Sequence, residues 1–432
     1  MSRIKTRESQ KGRLRTVLEE CLRREIAPDA AFPSPEEDVV ECGVLDSMAW
    51  VSFVRCVEDA TGVRDFGERM MDQPRSLQTM LAVLESSQGR EEKTATPVSA
   101  PRQATATGIA GWAHGVGSRV VKAAEVEREF HLPPGKIQKG AGIETVARLA
   151  RDEDEVAFCA AVCDAALART GCGIGEVDWL VVTSETFTRF PSLGASLHAQ
   201  LLARESCGVL DVGGACLGLL NALAAAQALL EGGRAQRVLV VTEDCHSRVL
   251  VPGRVKGEFG GLFGDGASAF LLQSAEAGDR RAFYRVGEFH FGCSSIYGSA
   301  IRIGLSPKQE IALTFAGEAL ARAAVEQMER VIEDVELQSG KKRAEASAFV
   351  THQPNPRLVA LLARQLGVPV AKIPPVARTC GNLGSSTCGV GLSMVLSDHS
   401  AKPASLRGPI FLAAVGPGLL WGGGILESTA SQ

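Results

Sequence analysis

Cys216 lies in the stretch VLDVGGACLGLLNALAAAQALLE, residues 209–231. VLDV reads as a short buried strand, and the segment after the cysteine reads as an almost uncharged Ala/Leu helix. The two glycines between them make a tight joint. At such a joint, free backbone N–H groups and the positive end of the helix dipole favour a thiolate. The expectation is a nucleophilic Cys216 with a lowered pKa beside an anion site. The plainer reading of a cysteine beside two glycines is a small side chain filling space. Two further polar residues stand at element ends. His352 follows the strand-like SAFV and precedes a helix in THQPNPRLV, and Asn382 occupies the Gly/Ser-rich turn TCGNLGSST that opens another helix. Taken singly, His352 is an ordinary strand-end hydrogen-bonding group and Asn382 a left-handed turn residue. As a set with Cys216 they carry a specific chemistry. A thiolate takes an acyl group, while His and Asn donors polarise a second thioester carbonyl and stabilise the enolate that forms. Asp265, between glycines in FGDGASAFLL, reads instead as a structural turn.

The elements that must position these residues alternate between strand and helix from Gly108 onward. VDWLVVTSE, RVLVVTED and SAFLLQS read as buried strands, and VAFCAAVCDAALART as a helix. That alternation indicates an α/β domain with a covered sheet. The chain also echoes itself. DWLVVTSETFTRFPSLGASLHAQLL is echoed by SAFVTHQPNPRLVALLARQLG, and DVGGACLGLLNALAAAQ by RTCGNLGSSTCGVGLSMVL. Duplicated halves with a site between them follow from that pattern. The 432 residues are enough for two or three domains, and with 45% hydrophobic but 5% aromatic residues the core must be aliphatic. A net charge of −4 argues against a nucleic-acid partner. The start MSRIKTRESQKGR carries no secretory leader, and the one long uncharged run, 209–230, contains Asp211 and begins as a strand, so no membrane partner is expected. The twelve cysteines show no CxxC pair or zinc spacing, which implies no metal and free thiols in a cytoplasmic location.

Residues 8–87 have a different texture. A helix with apolar Leu14, Val17, Leu18, Cys21 and Leu22 is followed by the Pro-rich loop APDAAFPSPEED. A second helix then opens at Asp46-Ser47, and a closing helix falls near LQTMLAVLES. Asp46-Ser47 alone would be an ordinary N-cap. The whole pattern, with GVLDSM at its centre and an acidic excess, resembles an acyl carrier protein. That resemblance implies a four-helix domain carrying 4′-phosphopantetheine covalently on Ser47, with a phosphopantetheinyl transferase as partner. Met48 stands where the family usually has Leu. Residues 88–106 are aperiodic and rich in Thr, Ala, Pro and Gln, a flexible linker.

Residues 107–428 resemble β-ketoacyl-acyl carrier protein synthase III of the thiolase superfamily, through DVGGACLG, LFGDGAS, THQPNPR, GNLGSS and VGPGLLWGG in the family's order. The resemblance implies a five-layered αβαβα fold with duplicated halves, a homodimer, Cys216 as acyl nucleophile, and His352 and Asn382 on the extender carbonyl. FPSLGA at 190–195 is similar to the segment near the substrate tunnel and dimer contact, which places Phe190 at the substrate pocket. The chain departs from acetyl-CoA-primed members, which place a Trp and an Arg before a TGI-like turn. Here PGKIQKGAGIE has no Trp, and Gly140 stands where the Arg would fall. Lys136 and Lys139 cannot stack as Trp and Arg do, so a carrier-borne donor is expected. In TSET, Glu185 is similar to the general base of hydroxymethylglutaryl-CoA synthases. Lying at the end of VDWLVV it can reach the cavity, where burial would raise its pKa. The plainer reading is a solvated strand-end carboxylate.

The reading is a carrier–ketosynthase fusion that loads an acyl thioester on Cys216 and condenses it with a second, carrier-bound thioester in specialised polyketide or fatty-acid-type metabolism. Further acyl carrier proteins are candidate partners. The alternatives are acyl transfer to a hydroxyl or amine, disfavoured because relatives of that kind often carry Asp in place of Asn382, and a catalytically weak partner in a hetero-oligomer.

Overall fold

The computed structural model describes residues 2–26, 32–45, 47–63, 65–70, 73–87, 106–255, 259–275, 283–294, 301–305, 311–315, 317–403 and 407–429. The chain divides into two compact units, 1–100 and 101–432. The expected linker, 88–106, lies outside the described residues except for Ala106.

Four helices make up the described part of the first unit: α1 (Ser2–Glu25), α2 (Ser47–Thr61), the single turn α3 (Phe66–Arg69) and α4 (Leu77–Ser87). Their apolar stripes close on one core of Leu14, Leu18, Leu22, Trp50, Phe53, Val57, Phe66, Met80 and Leu84. The structure corrects the free-thiol expectation here. Cys21 on α1 and Cys56 on α2 form a disulfide, a pairing across 35 residues that depends on how two helices face each other rather than on spacing.

In the second unit, β1 (Ala106–Val116), β2 (Arg119–Lys122), α5 (Ala123–Glu129), β3 (Thr145–Arg148), α6 (Glu155–Ala168), β4 (Trp179–Thr183), α7 (Leu193–Gln200), β5 (Gly208–Asp211), α8 (Gly218–Glu231), β6 (Arg237–Cys245) and β7 (Asp265–Ala275) make the first half. The second half runs through β8 (Tyr284–Cys293), β9 (Ile301–Leu305), β10 (Ile311–Phe315), α9 (Gly317–Ser339), β11 (Ala348–Thr351), α10 (Pro356–Gln365), α11 (Val376–Cys380), α12 (Ser386–Ser400), β12 (Ile410–Gly416) and β13 (Leu420–Ser428). The two halves do not form separate sheets. They join edge to edge through β1 and β8 into one nine-stranded sheet of order β11-β12-β13-β8-β1-β7-β6-β4-β5.

Strand parity explains the layers. Val181, Val238, Val240, Val350, Leu412 and Ala414 turn to a central core with the apolar faces of α8 and α12. Their sequence neighbours turn the other way, Leu180, Val182, Leu239 and Val241 onto α6 and α7, Phe349, Phe411 and Ala413 onto α9 and α10. The order is helix, sheet, helix, sheet, helix. The echoed segments take matching places: β4–α7 corresponds to β11–α10, and α8 lies beside α12 in the middle. Asp265 is fully buried, and its carboxylate accepts from the Leu149 N–H at 2.8 Å and the Ser247 N–H at 2.8 Å. It ties loops together, as its turn setting suggests.

Candidate active site

The parity that fills the central core also aims the polar residues at the strand ends. Counting on from Val181, Val240 and Val350, the centre-facing positions are Thr183 and Glu185, Thr242 and Asp244, and His352. All lie at the C-terminal ends of parallel strands, against the N-termini of α8 and α12. Ligand sites of open α/β sheets gather at such ends.

Cys216 occupies the single 3₁₀ turn Ala215–Leu217 that leads into α8. Getting there strains the backbone: Gly214 has φ 133° and Ala215 the left-handed φ 49°. A Cβ at Gly214 would lie 2.2 Å from Asn221 Nδ2, which donates to the Gly213 carbonyl. Gly416, at the end of β12, packs against the Cys216 backbone from the second half; a Cβ there would stand 3.5 Å from the Cys216 nitrogen. The thiol does not behave as the helix N-terminus alone predicts. Burial pushes its pKa well above the ordinary thiol range, and the carboxylates of Glu185 and Asp244 push it further. The expected lowering is therefore corrected, because two nearby negative charges and desolvation outweigh a partial charge of about half a unit.

Glu185 is not a solvated strand-end residue; its side chain is 19% exposed and meets the thiol of Cys216. Its Oε2 lies 3.9 Å from His246 Nε2, and its Oε1 makes no well-formed hydrogen bond. Burial works to raise its pKa, but the hydrogen bond and charge of His246, then His352 and the Cys216 thiol, hold it below the usual range. The expected upward shift is thus reversed by a histidine that the strand reading of RVLVVTED passed over. His246 is buried against Phe263, ring centroids 4.4 Å apart, and its Nδ1 sits 3.2 Å from the Gly264 carbonyl. Burial pulls it down, yet Glu185, Asp244 and Asp265 hold it above its ordinary value.

His352 follows β11, with its N–H on the Ala413 carbonyl at 3.2 Å. Its ring is buried, Nδ1 has no partner, and burial lowers its pKa to about 4. It is a neutral imidazole at physiological pH, able to donate through one nitrogen. Asn382 is buried in the turn before α12, and its Oδ1 accepts the Gly384 N–H at 2.9 Å, which leaves its amide NH₂ as the free donor. Gly384 has φ 57°, and a Cβ there would stand 2.7 Å from His246 and 3.0 Å from Glu185. The turn that carries Asn382 thus packs directly on the Glu185–His246 pair. Cys216, Glu185, His246, His352 and Asn382 form one constellation, drawn from both halves.

Phe190 is 94% exposed on the loop before α7. Ser47 opens α2, while Asp46 lies outside the described residues. The segment at Lys136–Ala141 forms a π-turn whose preceding and first N–H groups, from Gly135, Ile137 and Gln138, are taken by the buried Glu127 carboxylate. Opposite the central face, Glu155, Glu243 and Cys245 bring ligand-type atoms within 4.8 Å of one another. Burial raises Glu243 to about 8, so it is mostly protonated at neutral pH, and Glu155 already pairs with Arg189. A cation there would compete with that guanidinium. Among the described residues, no helix is long and apolar enough to cross a membrane.

Comparison with known proteins supports the reading of the second unit. Residues 210–293 match the family profile of 3-oxoacyl-[acyl-carrier-protein] synthase III, and residues 337–428 match that of its C-terminal part. A β-ketoacyl-[acyl-carrier-protein] synthase III of Ruegeria sp. is 28% identical over 322 residues, 74% of this chain and 98% of the relative. Among solved structures, the synthase III of Aquifex aeolicus aligns with a TM-score of 0.66 at 24% identity, covering 74% of this chain and 99% of that one. OleA of Xanthomonas campestris, solved with lauric acid and lauroyl-CoA, aligns with a TM-score of 0.66 at 20% identity, covering 74% and 99%. Both matched profile stretches lie within the second unit, none in the first.

The buried neutral His352 makes a pH prediction. Its folded pKa lies below its unfolded value, so the unfolded chain binds the extra proton. Stability from this group is complete above the unfolded value of 6.5 and is lost as pH falls from there towards 4, by up to ~3 kcal/mol. Denaturation midpoints between pH 4 and 7 should therefore fall less steeply in His352→Asn than in the wild type.

Proposed function

We propose that the second unit, a β-ketoacyl-acyl carrier protein synthase III-like condensing domain with a thiolase-like fold, joins two thioesters through an acyl-Cys216 intermediate. The observation that carries this is the convergence of Cys216, His352 and Asn382, at strand ends and helix starts from both halves, around Glu185 and His246. The donor thioester transfers its acyl group to the Cys216 sulfur and leaves as a thiol. The acceptor thioester then seats its carbonyl against the His352 and Asn382 donors, which stabilise the enolate as it forms. Attack of that enolate on the acyl carbonyl makes the carbon–carbon bond and frees Cys216.

The acceptor enolate arises by loss of a proton to Glu185 rather than by loss of carbon dioxide. Support comes from the ionised Glu185 facing the nucleophile: a carboxylate there repels a malonyl-type carboxylate, while it can accept a proton. The donor arrives on a pantetheine arm, because the Lys136–Ala141 turn offers neither Trp nor Arg for a nucleotide and its leading N–H groups are already bonded to Glu127. The first unit serves as the carrier, with 4′-phosphopantetheine on Ser47 at the start of α2, where helix N–H groups suit a phosphodiester. Across a linker of about 19 residues its arm would act at near-millimolar effective concentration. Homodimerisation, with Phe190 shaping the substrate pocket near the dimer contact, completes this reading.

Two measurements test it. Incubation with a phosphopantetheinyl transferase should add the mass of one prosthetic group, and Ser47→Ala should abolish the addition; a wild-type protein left unmodified by several broad-specificity transferases would remove the carrier from the account. Starting from pre-acylated Cys216, Glu185→Gln should slow carbon–carbon bond formation by ~100-fold or more. Near-normal turnover in that variant, with carbon dioxide released in step with product, would show decarboxylating chemistry instead.

A further inference from the structure

Cys216 faces an unfavourable setting for a nucleophile. Its thiol is surrounded by Glu185 and Asp244, and the helix N-terminus does not offset their charge. One histidine stands close enough to offset that charge. His246 stands with Nε2 3.9 Å from Glu185 Oε2, held by Gly264 through Nδ1, by Phe263 on its face and by the Gly384 turn, which leaves no room for a Cβ. His246 and the Cys216 thiol both bear on the Glu185 carboxylate and hold it below the usual range. The expected chemistry of the site uses His352 and Asn382 and gives His246 nothing to do.

We propose that Cys216, Glu185 and His246 form a proton relay in which Glu185 accepts the thiol proton during acyl loading and His246 is the positioning residue that keeps Glu185 ionised. The inference rests on the thioester-loading role of Cys216 proposed above. In the resting site the thiol faces a carboxylate paired with the ring of His246. As the sulfur attacks the donor carbonyl, the S–H proton passes to Glu185 Oε1 and a sulfur–carbon bond forms. The tetrahedral intermediate collapses by breaking the donor carbon–sulfur bond, and the departing pantetheine thiolate takes the proton back from Glu185. Charge is conserved throughout: while Glu185 is neutral, the negative charge sits on the oxygen of the tetrahedral intermediate, and it returns to Glu185 when the donor leaves as a thiol. One carboxylate thus serves loading and, in the later step, the acceptor proton.

The groups that set the pH dependence come from every element around the pair. They are Glu185 after β4, Asp244 on β6, Asp265 on β7, His352 after β11, and Cys388 on α12 beside Cys216. Removing His246 takes away the largest influence that holds Glu185 below the usual range and leaves only His352 and the Cys216 thiol against burial, so Glu185 takes up a proton at higher pH.

The experiment is rapid-quench measurement of Cys216 acylation by acyl-pantetheine, without acceptor, from pH 4 to 9. His246→Gln should move the acid limb of loading upward by about one pH unit, so that loading slows by several-fold near pH 5 and little at pH 8. Glu185→Gln should slow loading by ~10-fold or more across the range and lose the acid limb, and the double variant should be no slower than Glu185→Gln alone. Additive losses, or a uniformly reduced rate with an unmoved acid limb, would overturn the relay. If His246→Gln does not fold, Glu185→Gln loading at the wild-type rate overturns it alone. Failure of the condensation reading looks different: normal acylation of Cys216 followed by no carbon–carbon bond.

Discussion

Asp244 is buried completely at the end of β6, and its carboxylate accepts hydrogen bonds from both halves of the domain. Oδ1 takes the Glu185 N–H at 2.7 Å; Oδ2 takes the Ser385 hydroxyl at 2.7 Å, the Ser386 N–H at 2.8 Å and the Ser386 hydroxyl at 3.0 Å. Leaving such a carboxylate buried without partners would cost several kcal/mol, so the three chain ends are held together or the site does not form. Burial and the charge of Glu185 raise Asp244 to about 7. Its demand for donors fixes Glu185 relative to the start of α12. The turn that carries Asn382 immediately precedes that helix.

The rest of the constellation follows from this tie. A sheet continuous through β1 and β8 carries the strand ends of both halves into one structure, and strand parity turns every second residue at those ends inward. α8 and α12 lie side by side in the central layer, so the residue leading into each faces the same space. One contributes the sulfur and the other the amide. The two imidazoles are then separated in function by their neighbours. Burial leaves His352 neutral, whereas the carboxylates around His246 hold its pKa above the ordinary value. A site with two imidazoles held in different electrostatic settings has the parts for both halves of a thioester reaction.

Much of this was legible from residue patterns. Buried runs bounded by Gly-rich joints located the strands and helices that carry Cys216, His352 and Asn382, and the internal echo anticipated α8 beside α12. What local patterns did not carry was the electrostatics between elements. Position at a helix start implied an acidic thiol, but the carboxylates that oppose it come from β6 and the end of β4. RVLVVTED read as a strand, and nothing in it or in the CHS that follows says that Asp244 and His246 meet Glu185, which lies about sixty residues earlier in the chain. The Cys21–Cys56 disulfide was hidden for the same reason. Joining of the halves into one sheet was not legible either, because the β1–β8 pairing involves only Gly108, Ile109, Tyr284 and Arg285.

The central claim is that Cys216 carries the acyl group, among several cysteines of which Cys42 and Cys293 are far more accessible. Peptide mass mapping after brief exposure to a substoichiometric acyl-pantetheine tests it most directly. The account predicts an acyl adduct confined to the peptide bearing Cys216 and absent, with product formation, from Cys216→Ala. Acyl label on another cysteine, with undiminished product from Cys216→Ala, would contradict it.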